Sequence, residues 1–169
     1  MISLIINSSI VYPSSEDSFS PDESYPEYRF RTVSTHQNLI YKYVRDCFLQ
    51  AKLDQEHIGS SKWNPLGGWI KPGMRVFVLC NFANERRENE TLVDYQSRCT
   101  HGSVIRAVVD YILIAVGENG HVELGNAPTQ FCHWDRVLAD TGTDKIAQIY
   151  RENGLPVEVR RRREYYLSR

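Results

Sequence analysis

The sequence predicts an α/β fold, namely a Rossmann-like, three-layer β-α-β-α-β arrangement around a parallel sheet, preceded by an extended arm and a helix. Three observations support this prediction. Residues 75–80 form a nearly continuous apolar run, residues 102–117 have the apolar spacing of a helix, and residues 121–128 begin with a second apolar run. A strand, a helix and a strand in that order are typical of the parallel βαβ unit.

A long polar segment separates the first predicted strand from the helix that follows it. Connections of this kind usually contain roughly 2–6 residues, and the segment 82–99 is much longer. Long connections inside α/β units are usually functional or disordered. We therefore expect any chemistry of this protein to be located there.

The N-terminal region is predicted to lie apart from this unit. The chain of 169 residues fits one domain, and we divide it into an N-terminal strand and extended arm (1–34) and an α/β domain (35–169). Residues 1–6 are apolar but lack the basic leader of a signal peptide, so they are predicted to form a strand. Three prolines deny regular structure to residues 13–28. Four aromatic side chains could pin this arm to the domain: Tyr12, Phe19, Tyr25 and Tyr28.

The segment 35–53 is predicted to be an amphipathic helix, because its apolar side chains recur at three- and four-residue steps. Thr35 or Asn38 could cap its start. The turn that follows contains Trp63 and Trp69. We interpret these two side chains as anchors onto the core or, alternatively, as a stacking platform for a ligand.

The remaining elements complete the predicted sheet. Residues 75–80 are apolar almost throughout, which predicts a strand buried on both faces. The other predicted elements are a helix at 102–117, a strand at 122–124, two short helices at 134–139 and 144–152 separated at Gly142, and a third strand at 156–159.

The composition excludes several classes of function. A net charge of −1 gives no electrostatic basis for binding nucleic acid or an anionic membrane. Four arginines at 160–163 could contact nucleic acid, but the overall charge favours a strand end instead. No apolar run approaches the roughly 20 residues of a membrane helix.

The cysteines give no sign of a metal centre. Cys47, Cys80, Cys99 and Cys132 form no C-x-x-C pair, and their wide spacing suits reduced thiols in a cytoplasmic protein. The first βα connection has neither the dinucleotide fingerprint nor the Walker pattern. The sequence therefore identifies no cofactor and no metal.

The predicted site lies where the carboxyl ends of the parallel strands share one edge, since open α/β sheets bind ligands there. Asn81 follows the first of these strands, and Gly125 and Asn126 end the second. Thr100 and His101 open the helix that follows the long segment. We predict that these five residues converge at that edge, where the small residue Gly125 would let a ligand approach the backbone.

Each of these side chains has more than one possible role. His101 could act as a general base, donate to a phosphate or bind a metal, and we assign it as the catalytic residue. Asn81 would either orient a ligand or cap loose backbone, while Thr100 or Ser103 could cap the helix.

Charged and polar neighbours complete the predicted site. The run 85–90 is interpreted as a solvated face, and three arginines near it could close over an anionic ligand. These three are Arg86, Arg87 and Arg98. Gln130 and His133 lie just beyond the second strand and could line the same edge.

Five motifs occur in a fixed order along most of the chain. They are SPDESYPEY at 20–28, WNPL at 63–66, IKPG at 70–73 with Asn81, Thr100-His101, and GNAPTQ at 125–130. In this order they resemble the domain of unknown function 362 family, in the version often found near bacterial polysaccharide-biosynthesis genes. The family has no settled activity.

The chain departs from that family at three points. The family's Lys-Pro-Asn corresponds here to Leu79-Cys80-Asn81, and its Gly-Asp-Ala-Pro carries Asn126 in place of the acid. Family members also continue past the third strand. The resemblance therefore implies that this chain corresponds to the N-terminal half of the family's domain.

Two functions follow as hypotheses. The first is the binding or transformation of a small anionic substrate at the strand edge, with Asn81 orienting it and His101 moving a proton. The alternative is a non-catalytic, truncated homologue that acts as a binding or partner subunit. A short parallel sheet leaves an edge and a face exposed, so we also expect a homodimer or a missing C-terminal half.

Overall fold

The fold is built on a three-stranded parallel sheet. The computed structural model describes residues 2–30, 33–82, 84–128 and 132–161. Its strands β1 (Arg75–Leu79), β2 (His121–Asn126) and β3 (Val157–Arg161) lie in the order β1-β2-β3 and all run in the same direction. The predicted parallel α/β arrangement is confirmed.

Five α-helices accompany the sheet in the described part of the chain, and most of their predicted positions are confirmed. They are α1 (Leu39–Gln50), α2 (Leu92–Ser97), α3 (Gly102–Val116), α4 (Trp134–Thr141) and α5 (Thr143–Glu152), with a short 3-10 helix at Gln55–His57. Asn38 caps α1 by accepting from the Tyr41 N–H at 3.1 Å. Gly142 separates α4 from α5 in a left-handed conformation, as predicted.

The two helices that pack on the sheet, α3 and α5, cover the same face. That face presents a row of aliphatic side chains to them, namely Val76, Val78, Val122, Leu124, Val157 and Val159. The opposite face carries charged pairs, such as Arg75 with Glu123 at 2.9 Å. The prediction that β1 is buried on both faces is wrong, since Leu79 is 72% exposed. An apolar run cannot distinguish an edge strand from a central one, because it does not show which neighbours the strand has.

The helix α3 lies between two separate cores. One core joins α3 to the sheet and α5, and the other joins α3 to α1 and to the turn around Trp63. Nearly every residue of α3 is buried, including the charged pair Arg106 and Asp110. A helix that is buried on all sides needs partners for any charge it carries.

For Arg106 those partners come from the N-terminal arm, which packs against the domain. The Arg106 guanidinium donates to the Ser18 carbonyl at 3.4 Å and to the Tyr28 hydroxyl at 3.2 Å. Phe19 and Glu27 of the arm are almost fully buried. The aromatic pinning of the arm is confirmed.

The N-terminal strand prediction is wrong. Residues 2–6 have no regular secondary structure, and no backbone-to-backbone hydrogen bond joins any residue from 2 to 12 to another described residue. A strand needs a neighbouring strand to pair with, and the sequence pattern cannot reveal whether one is present.

The two tryptophans of the turn differ in their roles. Trp63 is fully buried and its indole N–H donates to the Leu53 carbonyl at 2.8 Å, so its prediction as an anchor is confirmed. Trp69 is 66% exposed and anchors nothing by burial. None of the described helices is both long enough and apolar enough to cross a membrane.

Candidate functional site: the carboxyl edge of the sheet

The residues predicted to converge at the strand ends do come together through the backbone. Asn81 and Thr100 form a reciprocal pair: the Asn81 N–H donates to the Thr100 hydroxyl at 3.0 Å, and the Thr100 N–H donates to the Asn81 carbonyl at 2.7 Å. The Cys80 N–H donates to the Gly125 carbonyl at 2.9 Å, which joins the ends of β1 and β2. The long polar segment therefore begins and ends at this edge.

Most of these side chains are occupied by local structure. The Asn81 amide donates to the Arg98 carbonyl at 3.2 Å, and the Asn126 side chain accepts from the next N–H, that of Ala127, at 2.7 Å. At Gly125 a Cβ would overlap the carbonyl oxygen of Arg160 on β3. Glycine is therefore required at position 125 by the close approach of β3. Asn81, Gly125 and Asn126 act mainly as a scaffold for this edge of the sheet.

His101 lies at the start of α3 and is almost fully buried. Its Nδ1 accepts from the Ser103 backbone N–H at 3.2 Å, so His101 is the side chain that caps the helix and Ser103 supplies the donor. The expectation that Thr100 or Ser103 caps the helix is therefore wrong. The Tyr12 ring stacks on the imidazole with centroids 4.0 Å apart. Burial lowers the pKa of His101 to about 4, so the imidazole is neutral at pH 7.

The cap also fixes the tautomer of His101. Because Nδ1 accepts a hydrogen bond, the proton of the neutral ring resides on Nε2. A hollow of about 390 Å³ lies beside this ring, between the arm and the junction of α4 and α5. Its lining includes Tyr12, Phe19, Gln96, His101, Asp140 and Gly142. The structure therefore turns His101 toward the arm, whereas the cations of the long segment line a separate cleft.

That second cleft, of about 440 Å³, lies along the long segment itself. Its lining is strongly charged and consists of Asn84, Glu85, Arg86, Arg87, Glu88, Arg98, Cys132, His133 and Arg136. Arg136 projects from α4 and was missed in the sequence, because an isolated arginine on a helix is indistinguishable from a solvated surface residue. His133 lines the cleft as predicted, while Gln130 lies outside the described residues.

Carboxylates contact three of the basic side chains in this cleft. Arg98 binds Glu90 with two bonds of 2.8 Å each, which lower the pKa of the Glu90 carboxyl to about 2. The other two pairs join Arg86 to Asp140 at 3.2 Å and His133 to Glu85 at 2.6 Å. These pairs order the long segment and attach it to α4.

Two guanidinium groups in the cleft are left without such a partner. Neither Arg87 nor Arg136 forms a side-chain hydrogen bond or an ion pair with any described residue. One carboxylate in the lining, Glu88, is likewise outside the three pairs. Two arginine forks of the cleft are therefore available to a ligand, although Glu85 and Glu90 interact electrostatically with Arg136 and Arg87 at longer range.

No metal centre is evident among the described residues, where no group of three or more histidine, cysteine, aspartate or glutamate side chains could hold an ion. All four cysteines are free thiols. Burial raises the pKa of the Cys80 thiol to about 11, which makes it unreactive at neutral pH.

Comparison of the chain with protein-family models, curated proteins and solved structures gave no match. The resemblance to the domain of unknown function 362 family, and its link to polysaccharide-biosynthesis genes, remain predictions from the motifs. The site must therefore be interpreted from its own geometry.

Proposed function

We propose that this domain binds a small anionic ligand, with a phosphate or carboxylate group, in the charged cleft at the carboxyl edge of the sheet. The observation that carries the proposal is the pair Arg87 and Arg136, two guanidinium groups that line one cleft and form no direct ion pair with any described residue. Guanidinium forks match phosphate and carboxylate oxygens in planar, bidentate geometry. A cleft at this edge is also where open parallel sheets bind ligands.

The neighbouring ion pairs favour a ligand of low charge. Arg98 and Arg86 line the cleft but are held by Glu90 and Asp140. A ligand would have to compete with those carboxylates to recruit either cation. The proposed ligand is therefore a monoanion or dianion, such as a phosphate monoester, rather than a polyanion such as nucleic acid.

We also propose that the sheet is the core of a larger, Rossmann-like arrangement. Support comes from its parallel strands and from the long connection after β1. A three-layer version needs helices on the second face, where β1 places Leu79 and the ion pair of Arg75 with Glu123. A homologous second half or another subunit would supply that layer, which agrees with the alternative of a non-catalytic partner subunit.

Transformation of the ligand depends on His101 in our sequence hypothesis. A neutral imidazole with its proton on Nε2 can donate a hydrogen bond, but a pKa of about 4 makes it a weak base. His101 also lines the hollow beside the arm and not the charged cleft, which favours binding over proton transfer as the role of this domain.

The test measures anion affinity by isothermal titration calorimetry with phenyl phosphate, a phosphate monoester, and, separately, with orthophosphate. Substitution of Arg136 by Gln should weaken binding at least tenfold, which corresponds to about 1.4 kcal/mol. Arg87→Gln should have a similar effect, because each fork contributes charge-assisted hydrogen bonds. Far-UV circular dichroism verifies that both variants are folded.

The matched control is Arg151→Gln, which removes the same charge from an exposed position on α5. Its affinity should stay within twofold of the unsubstituted protein. Absence of anion binding, or equal weakening by Arg151→Gln and Arg136→Gln, would contradict the proposal.

A further inference from the structure

A hollow of about 390 Å³ beside the N-terminal arm is separate from the charged cleft. Small-molecule sites usually enclose about 300–1,000 Å³, so a small ligand fits it. We call it the arm hollow. Its lining comes from residues 12–15 and 19 of the arm, 92 and 96 of α2, 101 at the start of α3, and 139–142 at the junction of α4 and α5.

One wall of the arm hollow is held in position by unusual backbone geometry and by two glycines. Phe19 has a left-handed φ of 58°, which is rare for a bulky residue. A Cβ at Gly102 or at Gly142 would lie 2.5 Å from the Phe19 ring, so a larger residue at either position would displace it. The fold thus tolerates an unfavourable backbone conformation at the residue that supplies this aromatic wall.

A hydrogen-bond donor without an acceptor is accessible from the arm hollow. His101 is 4% exposed, its Nδ1 accepts from the Ser103 N–H, and the Tyr12 ring covers one face of the imidazole. The proton of the neutral ring is therefore on Nε2. This atom bonds to no described residue, yet it is not sealed from solvent. Because His101 lines the hollow, a molecule bound there can accept from Nε2–H.

The arm hollow offers no full positive charge to a ligand. None of its described lining residues is a lysine or an arginine, and His101 is neutral. The one carboxylate among the same residues, that of Asp140, is paired with Arg86 at 3.2 Å. The Gln96 amide donates to the Asp140 carbonyl at 3.1 Å. A charged ligand would lose its hydration here without gaining an ion pair, so the hollow favours an uncharged one.

The acceptor that suits Nε2–H is a carbonyl oxygen. His101 and Gly142 are the N-cap residues of α3 and α5, so the positive ends of two helix dipoles lie at the hollow. They favour the partial negative charge of such an oxygen. The side chains of Tyr12, Phe19 and Leu92 supply apolar surface for the rest of the ligand, and aromatic rings pack well on aromatic side chains.

We propose that the arm hollow is a second binding site, which takes a small uncharged aromatic compound with a carbonyl group. The carbonyl oxygen accepts from His101 Nε2–H and so satisfies a buried donor. The aromatic ring packs on Tyr12 and Phe19. This site does not depend on anion binding in the charged cleft, because the two cavities share no lining residue.

The experiment follows the imidazole nitrogen resonances of His101 by nuclear magnetic resonance in the full, nitrogen-15-labelled chain during titration at neutral pH. The probes are acetophenone, ethylbenzene, which lacks the oxygen, and benzoate, which carries a charge. Acetophenone should shift the Nε2 resonance saturably, with a dissociation constant of about 1–10 mM, as suits a molecule of this size. Ethylbenzene should bind about threefold more weakly or worse, since it accepts no hydrogen bond. Benzoate should also bind more weakly than acetophenone.

Two variants and a control connect the signal to the arm hollow. Ala139→Trp places a large ring in the hollow from an exposed position on α4 and should abolish the acetophenone shift. Gln148→Trp, the matched control, adds the same ring at an exposed position on α5 outside the lining and should leave the affinity unchanged. His101→Ser keeps a capping hydroxyl but cannot reach the ligand. In that variant, backbone amide shifts should show no preference for acetophenone over ethylbenzene.

Three results would overturn the proposal. The first is a titration in which acetophenone leaves the His101 resonances unchanged. The second is binding of ethylbenzene or benzoate as tight as that of acetophenone. The third is an acetophenone shift that persists in a folded Ala139→Trp variant, with the fold verified from its amide spectrum.

Discussion

The buried pair of Arg106 and Asp110 permits a quantitative prediction about stability. Arg106 Nε lies 3.1 Å and 2.9 Å from the two Asp110 oxygens, and both residues are essentially inaccessible. The carboxylate also accepts from the Tyr41 and Tyr150 hydroxyls, at 3.1 Å and 2.6 Å. Every strong interaction of either charge is thus made inside the protein.

Removal of one partner should therefore be costly. Arg106→Met leaves a buried carboxylate without its cation, and Asp110→Asn leaves a buried guanidinium without its anion. Each change should lower the free energy of unfolding by about 3–5 kcal/mol. For a domain with a total stability of about 5–15 kcal/mol, such a loss is a large fraction.

The double variant distinguishes charge pairing from simple packing. Arg106→Met combined with Asp110→Asn removes both charges and keeps an acceptor for one tyrosine. Its cost should fall short of the sum of the single costs by about 2–3 kcal/mol. The assay is urea unfolding followed by far-UV circular dichroism, with the exposed Arg151→Met as the control that changes stability by about 0.5 kcal/mol or less. A cost below about 1 kcal/mol for Arg106→Met, or strictly additive costs, would refute the reasoning.

Three further predictions concern pH, backbone conformation and the cleft. The folded state holds the pKa of His101 at about 4, against about 6.5 when unfolded. The free energy of unfolding should therefore fall by about 3 kcal/mol as the pH drops from 6.5 towards 4. The variant His101→Asn keeps a cap but does not titrate, so its free energy of unfolding, measured by urea titration, should change less over this pH range. Gly142 and Gly154 both have a positive φ, of 73° and 65°, but only a Cβ at Gly142 would overlap a buried ring. In thermal melts Gly142→Ala should therefore lower the melting temperature more than Gly154→Ala does. Glu90→Gln should tighten phenyl phosphate binding a few-fold in calorimetry by releasing Arg98, and unchanged affinity would show that Arg98 does not reach the ligand.

The sequence predicts those parts of the fold that depend on local spacing. The apolar steps of α1 and α3 and the glycine between α4 and α5 are properties of short windows, so their positions follow directly from the residues. The parallel order follows almost as directly, because strands joined by helical crossovers run the same way. The convergence of Asn81 and Thr100 was predictable for the same reason, since it depends only on this topology.

Pairing between distant residues could not be predicted. Arg98 and Glu90 are both plausible surface residues in the sequence, and only the folded loop shows that one cancels the other. Nothing in the neighbouring sequence distinguishes Arg87 from Arg98, yet the Arg87 guanidinium lines the cleft without a direct ion pair to a described residue. The role of His101 depended on its burial, which is set by the arm residue Tyr12, far away in the sequence.

Tyr12 divides the N-terminal region into two segments that differ in how firmly they are attached to the domain. After Tyr12, the arm supplies two hydrogen-bond acceptors to α3, because the Ser18 carbonyl and the Tyr28 hydroxyl accept from the Arg106 guanidinium. Before Tyr12, the side chains of Ile2, Leu4 and Ile6 are exposed, and the backbone forms no hydrogen bond with the backbone of any other described residue. The arm should therefore remain folded with the domain even in an isolated chain, since its release would leave a buried charge unsatisfied. The segment before Tyr12 is held to the domain by the hydrogen bond from Asn7 to the Tyr43 hydroxyl and buries little apolar surface, so its amide protons should exchange faster than those of the arm.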